Sequence, residues 1–147
     1  MQILVDADAC PVKQVIVRLA KKNNIPVTML TDTSHELNDG YSLIVTVDKH
    51  PYSVDYALMG LLNREDIVVT QDYGLAAMVI GKGAKAINKN GLVFTDENMD
   101  KLLMERFIGQ KIRRSGGRTK GPPKRTKEDD ARFEAAFEKL LAGAFSC

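Results

Sequence analysis

The sequence has no tryptophan, and only 6% of its 147 residues are aromatic. So few aromatic side chains argue against a surface built to stack nucleic-acid bases. Its two cysteines, Cys10 and Cys147, lie at opposite ends, and no signal-peptide pattern precedes the first apolar run. We therefore expect no disulfide and a cytoplasmic location. No apolar run approaches the roughly 18 residues that a membrane span needs, so no membrane partner is expected.

Several common catalytic and metal-binding motifs are also absent. The chain has no C-x-x-C or H-E-x-x-H pattern, no Walker A phosphate loop and no G-x-G-x-x-G fingerprint. His35 and His50 fall in predicted loops without the spacing of metal ligands, so we expect both at the surface. Carboxylates remain as the residues most able to carry chemistry.

The formal net charge of +2 conceals a strong separation of charge along the chain. Residues 106–127 contain nine of the 21 Lys and Arg residues and no Asp or Glu. The rest of the chain therefore carries 12 basic and 19 acidic residues. An acidic body with a basic segment indicates an anionic partner for that segment, such as nucleic acid.

Short apolar runs alternate with helical patterns along residues 1–108, which we take as the core. The runs ILV, IPVTML, LIVTV and IVV are continuous, which is typical of strands covered on both faces. Residues 53–63 instead carry apolar side chains at helical spacing. We therefore predict a single α/β domain over residues 1–147, a three-layer α/β/α sandwich around a mostly parallel sheet.

Two further segments follow the predicted core. Residues 109–127 are rich in Gly, Pro, Lys and Arg, and we expect an extended basic arm with little regular structure there. Residues 128–143 are predicted to form a helix whose apolar face consists of Phe133, Phe137, Leu140 and Leu141. Because that face needs a partner, we expect the helix to dock on the core and to hold the arm at both ends.

Four predicted strands end in aspartate, at Asp6, Asp32, Asp48 and Asp72. Since the carboxyl ends of parallel strands share one edge of a sheet, we expect these carboxylates to converge. Asp8 lies two positions after Asp6, and Asp55 falls in the first turn of a predicted helix, at the edge of its apolar stripe. Clustered carboxylates repel one another unless a cation lies among them. The pattern therefore predicts a Mg²⁺ or Mn²⁺ site.

A purely structural explanation of these aspartates competes with the metal site. Aspartate after a strand is also a common helix cap or turn residue, and Asp32 and Asp48 fit that role equally well. Asp8 could cap the helix that follows it, and Asp55 could be a first-turn acid favoured by the helix dipole. The first and fourth strand-end aspartates directly follow buried runs and precede helices, which favours a functional role for these two.

The segments LVDADACPVK, DYAL, VVTQDYGLA and GGRTKGP together resemble the YaiI/YqxD family of uncharacterised bacterial proteins, over essentially the whole chain. That family is similar to the PIN-like nuclease superfamily of α/β/α sandwiches. The resemblance implies catalytic and metal-binding roles for Asp6, Asp55 and Asp72, with Asp8 as an additional acid. It also implies that Thr70 hydrogen-bonds a carboxylate or phosphate.

The sequence departs from the PIN-like pattern after the third acid. A fourth acid is expected about two residues after Asp72, where this chain has Tyr73 and Gly74. Asp8 is the candidate replacement, and Asp48 is a supporting acid at the same edge.

Three functions remain open at this point. The first is a Mg²⁺- or Mn²⁺-dependent nuclease or phosphodiesterase that acts on RNA in preference to DNA through Asp6, Asp8, Asp55 and Asp72. Its phosphate contacts would come from Arg106, Arg113, Arg114, Arg118 and Lys120. The second is a haloacid-dehalogenase-type phosphatase that uses Asp6 as nucleophile and Asp8 as acid. The third is a non-catalytic RNA-binding module. The sequence leaves open whether the chain forms a homo-oligomer.

Overall fold

A computed structural model describes residues 1–32, 37–117 and 124–145 of the chain. Its strands are β1 (Ile3–Asp6), β2 (Val27–Asp32), β3 (Leu43–Val47), β4 (Ile67–Val69) and β5 (Lys85–Ile87). Its helices are α1 (Lys13–Lys22), α2 (Ser53–Leu61), α3 (Tyr73–Gly81), α4 (Asp96–Arg114) and α5 (Lys127–Phe145). No helix within the three described ranges is long and apolar enough to cross a membrane.

The strands form one parallel sheet in the order β3-β2-β1-β4-β5. Ile3 of β1 pairs with Val27 of β2 on one side and with Ile67 of β4 on the other. The chain builds outward from β1 to β3 and then crosses back to place β4 on the other side of β1. The topological switch point, where parallel α/β sheets bind their ligands, therefore lies between β1 and β4.

The sheet is covered on both faces by helices, which confirms the predicted three-layer α/β/α sandwich. One core cluster includes Ile16 of α1 with Phe133 and Phe137 of α5. The second cluster, on the opposite face, includes Leu75 of α3 and Met99 of α4. Burial on both faces explains why the central strands are continuous apolar runs.

The last helix docks on the core as its apolar face predicts. Phe133 and Phe137 are fully buried, with their rings stacked 5.2 Å apart between centroids. Just before the helix, the Arg125 guanidinium donates hydrogen bonds to the Lys89 carbonyl oxygen at 2.7 Å and to Asn90 Oδ1 at 2.9 Å. The end of the basic segment is therefore fixed to the body of the protein.

The prediction of an extended arm from residue 109 is wrong over residues 109–114, because α4 continues to Arg114 rather than ending near residue 108. Gly109 is a single break in the helical pattern of α4. The residues after it either favour helix or carry positive charge, which complements the negative C-terminal end of the helix dipole. The helix ends where Gly116 adopts φ +87°, and the Gly117 amide donates to the Ile112 carbonyl oxygen at 2.9 Å. Arg118 and Lys120, two predicted phosphate contacts, lie outside the described residues.

Candidate functional site

Thr70 connects the ends of β1 and β4 at the switch point. Its side chain is fully buried, and its hydroxyl donates a hydrogen bond to Asp6 Oδ2 at 3.1 Å. The Thr70 hydroxyl oxygen in turn accepts a hydrogen bond from the Asp72 amide at 3.1 Å. The Thr70 hydroxyl therefore positions both the carboxylate of Asp6, at the end of β1, and the backbone of Asp72.

Asp6 occupies an environment that disfavours its ionised form. Burial raises the pKa of this carboxyl from its ordinary value of 3.8 to about 6, although the Thr70 hydrogen bond acts in the opposite direction. The negative charges of Asp55, Asp8 and Asp72 raise the pKa of Asp6 further. The protein therefore holds several acids close enough to affect one another at a position where ionisation costs free energy.

Asp55 and Asp72 form a carboxyl pair. Asp55 lies in the first turn of α2, and burial together with the charge of Asp72 raises the pKa of Asp55. A hydrogen bond between the two side chains raises the pKa of Asp55 further, because it favours the form that carries a proton. A helix on one face of the sheet thus contributes an acid to the strand-end site, as the sequence predicts.

Asp72 also has the structural role that the cap explanation predicts. It is the N-cap of α3, and its Oδ1 accepts hydrogen bonds from the Gly74 amide at 2.9 Å and the Leu75 amide at 3.4 Å. The two roles coexist in one residue. Asparagine is an equally good cap, so this function of Asp72 can be separated from its charge by substitution.

Asp8 does not cap the helix that follows it. The N-cap of α1 is Val12, without a side-chain cap hydrogen bond. Asp8 instead accepts a hydrogen bond from the Thr31 hydroxyl at 2.7 Å through Oδ1 and from the Asp32 amide at 3.2 Å through Oδ2. Its carboxylate is therefore held against the end of β2, a contact between residues far apart in sequence.

A cavity of about 350 Å³ lies on the β2–β3 side of the strand ends. Its acidic lining consists of Asp8, Asp32, Asp48 and Asp55. Lys49, His50 and Tyr52, which are not among the predicted site residues, line the same cavity. Their position directly after a strand that ends in aspartate is the signal that could have identified them.

A second cavity, of about 610 Å³, lies on the other side of Asp72. Gln71, Asp72, Arg106 and Arg113 are among its lining residues, so α4 brings two predicted phosphate contacts next to a predicted catalytic acid. Arg114 is exposed at the end of the same helix. Arg106 and Arg113 thus lie beside Asp72 although they are more than thirty residues from it in sequence, whereas Arg114 does not line this cavity.

Gln71, which is not among the predicted site residues, also lines this second cavity. Its Oε1 accepts a hydrogen bond from the Lys89 amide at 3.1 Å, which fixes the orientation of the side-chain amide. Its Nε2 is buried and has no hydrogen-bond partner in the structure. A buried donor without a partner costs free energy, and an acceptor oxygen from a ligand would satisfy it.

The carboxylates have the right chemistry for a hard divalent cation but are not drawn together into a complete metal site. Among residues 1–32, 37–117 and 124–145, no group of three or more His, Cys, Asp or Glu side chains is arranged to hold a metal ion. Asp6, Asp8, Asp55 and Asp72 nevertheless offer only oxygen donors, which Mg²⁺ and Mn²⁺ prefer. Binding of either ion would require adjustment of these side chains.

The fold and the site define a class of protein, a doubly wound parallel α/β domain with acids at the switch point between β1 and β4. Comparison with known families gives a more specific identity. The model of the uncharacterised bacterial YaiI/YqxD family matches residues 4–143, and the chain belongs to this family.

Relatives in other bacteria match the chain over most of its length. The UPF0178 protein of Ruminiclostridium cellulolyticum is 64% identical over 137 residues, covering 93% of this chain and 90% of the relative. The UPF0178 protein of Clostridium acetobutylicum is 52% identical, covering 96% and 97%, and that of Exiguobacterium sibiricum is 47% identical, covering 96% of both. None of these names assigns an activity. No solved structure matches the chain.

Proposed function

We propose that this protein is a Mg²⁺- or Mn²⁺-dependent nuclease that cleaves RNA in preference to DNA in the cytoplasm. The observation that carries the proposal is the cavity beside Asp72, where Arg106 and Arg113 accompany the unpartnered amide Nε2 of Gln71. Two guanidinium groups and a buried amide donor match the acceptor oxygens of a phosphate group. An anionic backbone bound there would lie directly against the acids.

The acids would hold the metal ion. Asp6, Asp55 and Asp72 are the principal candidates, and Asp8 is a further one whose carboxylate is oriented by Thr31 and Asp32. When bound, Mg²⁺ or Mn²⁺ supplies positive charge that stabilises the scissile phosphate and makes a water molecule a better nucleophile. A cation would also relieve the repulsion that raises the pKa values of Asp6 and Asp55.

The protein's own residues would perform the remaining steps. Arg106 and Arg113 would bind the phosphates and orient the strand, since guanidinium groups match phosphate geometry. Asp6, as one of the acids that would hold the ion, would help to orient the attacking water beside it. Thr70 would hold Asp6 in position through the hydrogen bond to Oδ2.

The phosphatase alternative has less support from the geometry. It requires Asp6 and Asp8 to act as a nucleophile and an acid on one substrate. Asp8 is instead held by the Thr31 hydroxyl and the Asp32 amide at the end of β2. No observation favours it over a nuclease, and the non-catalytic RNA-binding module becomes an outcome of the experiment below.

Metal binding and cleavage should be measured on the same variants. Mn²⁺ titrated into metal-free protein by calorimetry should bind saturably, and Asp6→Asn and Asp72→Asn should each lose that binding. Both changes keep the hydrogen-bond acceptors that Thr70 and α3 require. Glu138→Gln removes one charge from an exposed position on α5, on the other face of the sheet, and should bind as the unmodified protein does.

Cleavage of a labelled single-stranded RNA should require the metal and fall at least about 100-fold in Asp72→Asn. Cleavage that survives a chelator would contradict the proposal. Tight RNA binding without metal binding or cleavage would instead support the non-catalytic module.

The phosphate contacts can be tested separately, because Arg113→Gln should reduce the slope of log affinity against log salt by about 0.7. Arg18→Gln on α1 is the matched control, since Arg18 pairs with Glu134 on the other face.

A further inference from the structure

The solvent side of α4 carries an apolar stripe that no other described helix or strand covers, although Lys111 of the same helix lies over the Phe107 ring. Its members are Leu103, Met104, Phe107, Ile108 and Ile112, each between 41% and 57% exposed. They form two adjacent rows, residues 103 and 107 and residues 104, 108 and 112, in which members are four residues or about one turn apart. The five side chains therefore form a continuous surface rather than scattered contacts. Grouped large apolar side chains on a surface are typical of an interface.

The apolar stripe lies on the side of α4 opposite to the proposed nucleic-acid cavity. The cavity is lined by Leu102, Glu105, Arg106, Gly109 and Arg113 from this helix. At about 100° per residue, these positions centre roughly half a turn away from the apolar stripe. A partner that covers the stripe would therefore leave the cavity beside Asp72 uncovered.

The charges along the same side of the helix indicate what the partner is. Glu97 and Asp100 precede the stripe, and Lys111 and Arg114 end it. These residues form one seam with Met104 and Phe107 at alternating spacings of three and four residues, the pattern of paired helices. The seam is thus acidic at its start, apolar in its middle and basic at its end.

We propose that two copies of this chain form a symmetric dimer through their α4 helices, packed antiparallel. A twofold axis between Met104 and Phe107 would place Asp100 opposite Lys111 of the second copy and Glu97 opposite its Arg114. The apolar centres would then cover each other, as an isologous interface requires. A parallel arrangement would instead bring like charges together at both ends.

The size of this interface predicts a reversible association. Residues 97–114 span about 27 Å of helix, so one helix pair covers less than the roughly 1,600 Å² of a standard interface. We expect a dissociation constant on the order of micromolar. The cavity beside Asp72 would remain open, because the α4 residues that line it lie on the opposite side of the helix.

Sedimentation of the full chain between about 1 µM and about 1 mM tests the dimer. We expect conversion from monomer to dimer over this range, and we expect Phe107→Glu to remain monomeric throughout with an unchanged circular-dichroism spectrum. Leu43→Glu is the control, because Leu43 is 64% exposed on the edge strand β3. A chain that stays monomeric at every concentration, or a dimer lost in Leu43→Glu but kept in Phe107→Glu, would overturn the proposal.

A charge exchange tests the antiparallel orientation. Asp100→Lys alone and Lys111→Glu alone should each weaken the dimer at least about tenfold, since each places like charges opposite one another. The double variant should recover most of the affinity, because residues 100 and 111 of opposite copies again carry opposite charges. A double variant weaker than both single variants would contradict the antiparallel seam.

Discussion

The hydroxyl of Thr70 donates a 3.1 Å hydrogen bond to Oδ2 of Asp6 and so joins the carboxyl ends of two adjacent parallel strands. The contact spans 64 residues of sequence. Asp72 binds the same hydroxyl through its backbone amide, so the positions of two candidate catalytic acids depend on one buried side chain.

Replacement of Thr70 by valine should disturb both acids with little change in volume. Loss of the hydroxyl leaves a carboxylate oxygen and a backbone amide without this partner, and we expect unfolding to become easier by about 1–3 kcal/mol. The Asp6 pKa should also rise, since the Thr70 hydrogen bond lowers it in the unmodified protein. Urea denaturation and an NMR titration of the Asp6 carboxyl measure the two effects.

Thr28→Val provides the matched control for that substitution. Thr28 is a buried threonine of β2, and its replacement changes the same atoms away from the acids. We expect a smaller loss of stability and an unchanged Asp6 titration. An equal shift of the Asp6 pKa in both variants would show that the Thr70 hydrogen bond has no specific role.

Asp6→Asn should stabilise the folded protein at neutral and alkaline pH. The folded-state pKa of Asp6 is about 6, above its ordinary value of 3.8, so the unmodified protein loses stability as pH rises through this interval. Asparagine removes the cost of a buried negative charge. We expect the variant to be more stable by about 2 kcal/mol at pH 8 and nearly equal to the unmodified protein below pH 4. Urea unfolding at a series of pH values, without divalent metal, measures the difference.

Addition of Mn²⁺ gives the complementary measurement for Asp6. A ligand that binds only the folded state raises its stability, so the metal should stabilise the unmodified protein and leave Asp6→Asn unchanged. A stability difference between the two proteins that is constant from pH 3 to pH 8 would contradict the raised pKa.

Gln71→Glu should weaken RNA binding while the fold remains intact. Glutamate keeps an oxygen that can accept from the Lys89 amide, but it replaces the buried donor Nε2 with negative charge. We expect at least about a tenfold loss of RNA affinity, equivalent to 1.4 kcal/mol, from repulsion between carboxylate and phosphate. Fluorescence anisotropy with a labelled RNA at fixed salt measures the change.

Gln14→Glu makes the same charge change on the opposite face of the sheet. Gln14 is exposed on α1, so this variant should bind RNA as the unmodified protein does. Equal losses in the two variants would attribute the effect to net charge rather than to the cavity beside Asp72.

Phe133→Ala should be among the most destabilising changes to the C-terminal helix. Its ring is fully buried and stacks on Phe137, and its removal leaves a cavity in the core between α1 and α5. We expect a loss of about 3–5 kcal/mol in the free energy of unfolding. Tyr56→Ala removes a ring that is 87% exposed and should change stability by less than about 0.5 kcal/mol. Similar losses in both variants would show that α5 contributes little to the core.

Local sequence was sufficient to predict the sheet and the positions of the acids along it. Continuous apolar runs fixed the strands, and an aspartate at the end of a run necessarily reaches the carboxyl edge of a parallel sheet. The first-turn position of Asp55 followed from helical spacing in the same way. These predictions need only periodicity and the direction of the chain.

The missed features depend on contacts between distant residues. Asp8 resembles a cap for α1, but Thr31 and Asp32 bind it because β2 ends beside it. The unpartnered donor of Gln71 exists because Lys89 occupies only its oxygen. The length of α4 was misjudged for a local reason, since one glycine and a dense run of positive charge suggested an end that the helix does not have.

The docking of α5 has a consequence for synthesis of the protein. Phe133 and Phe137 complete the core over α1, although β2, β3, β4 and β5 are all synthesised between α1 and α5. The apolar face of α1 therefore stays uncovered until α5 has been synthesised. We expect the nascent chain to rely on shielding by chaperones until α5 is released from the ribosome, and native folding of this core to follow that release.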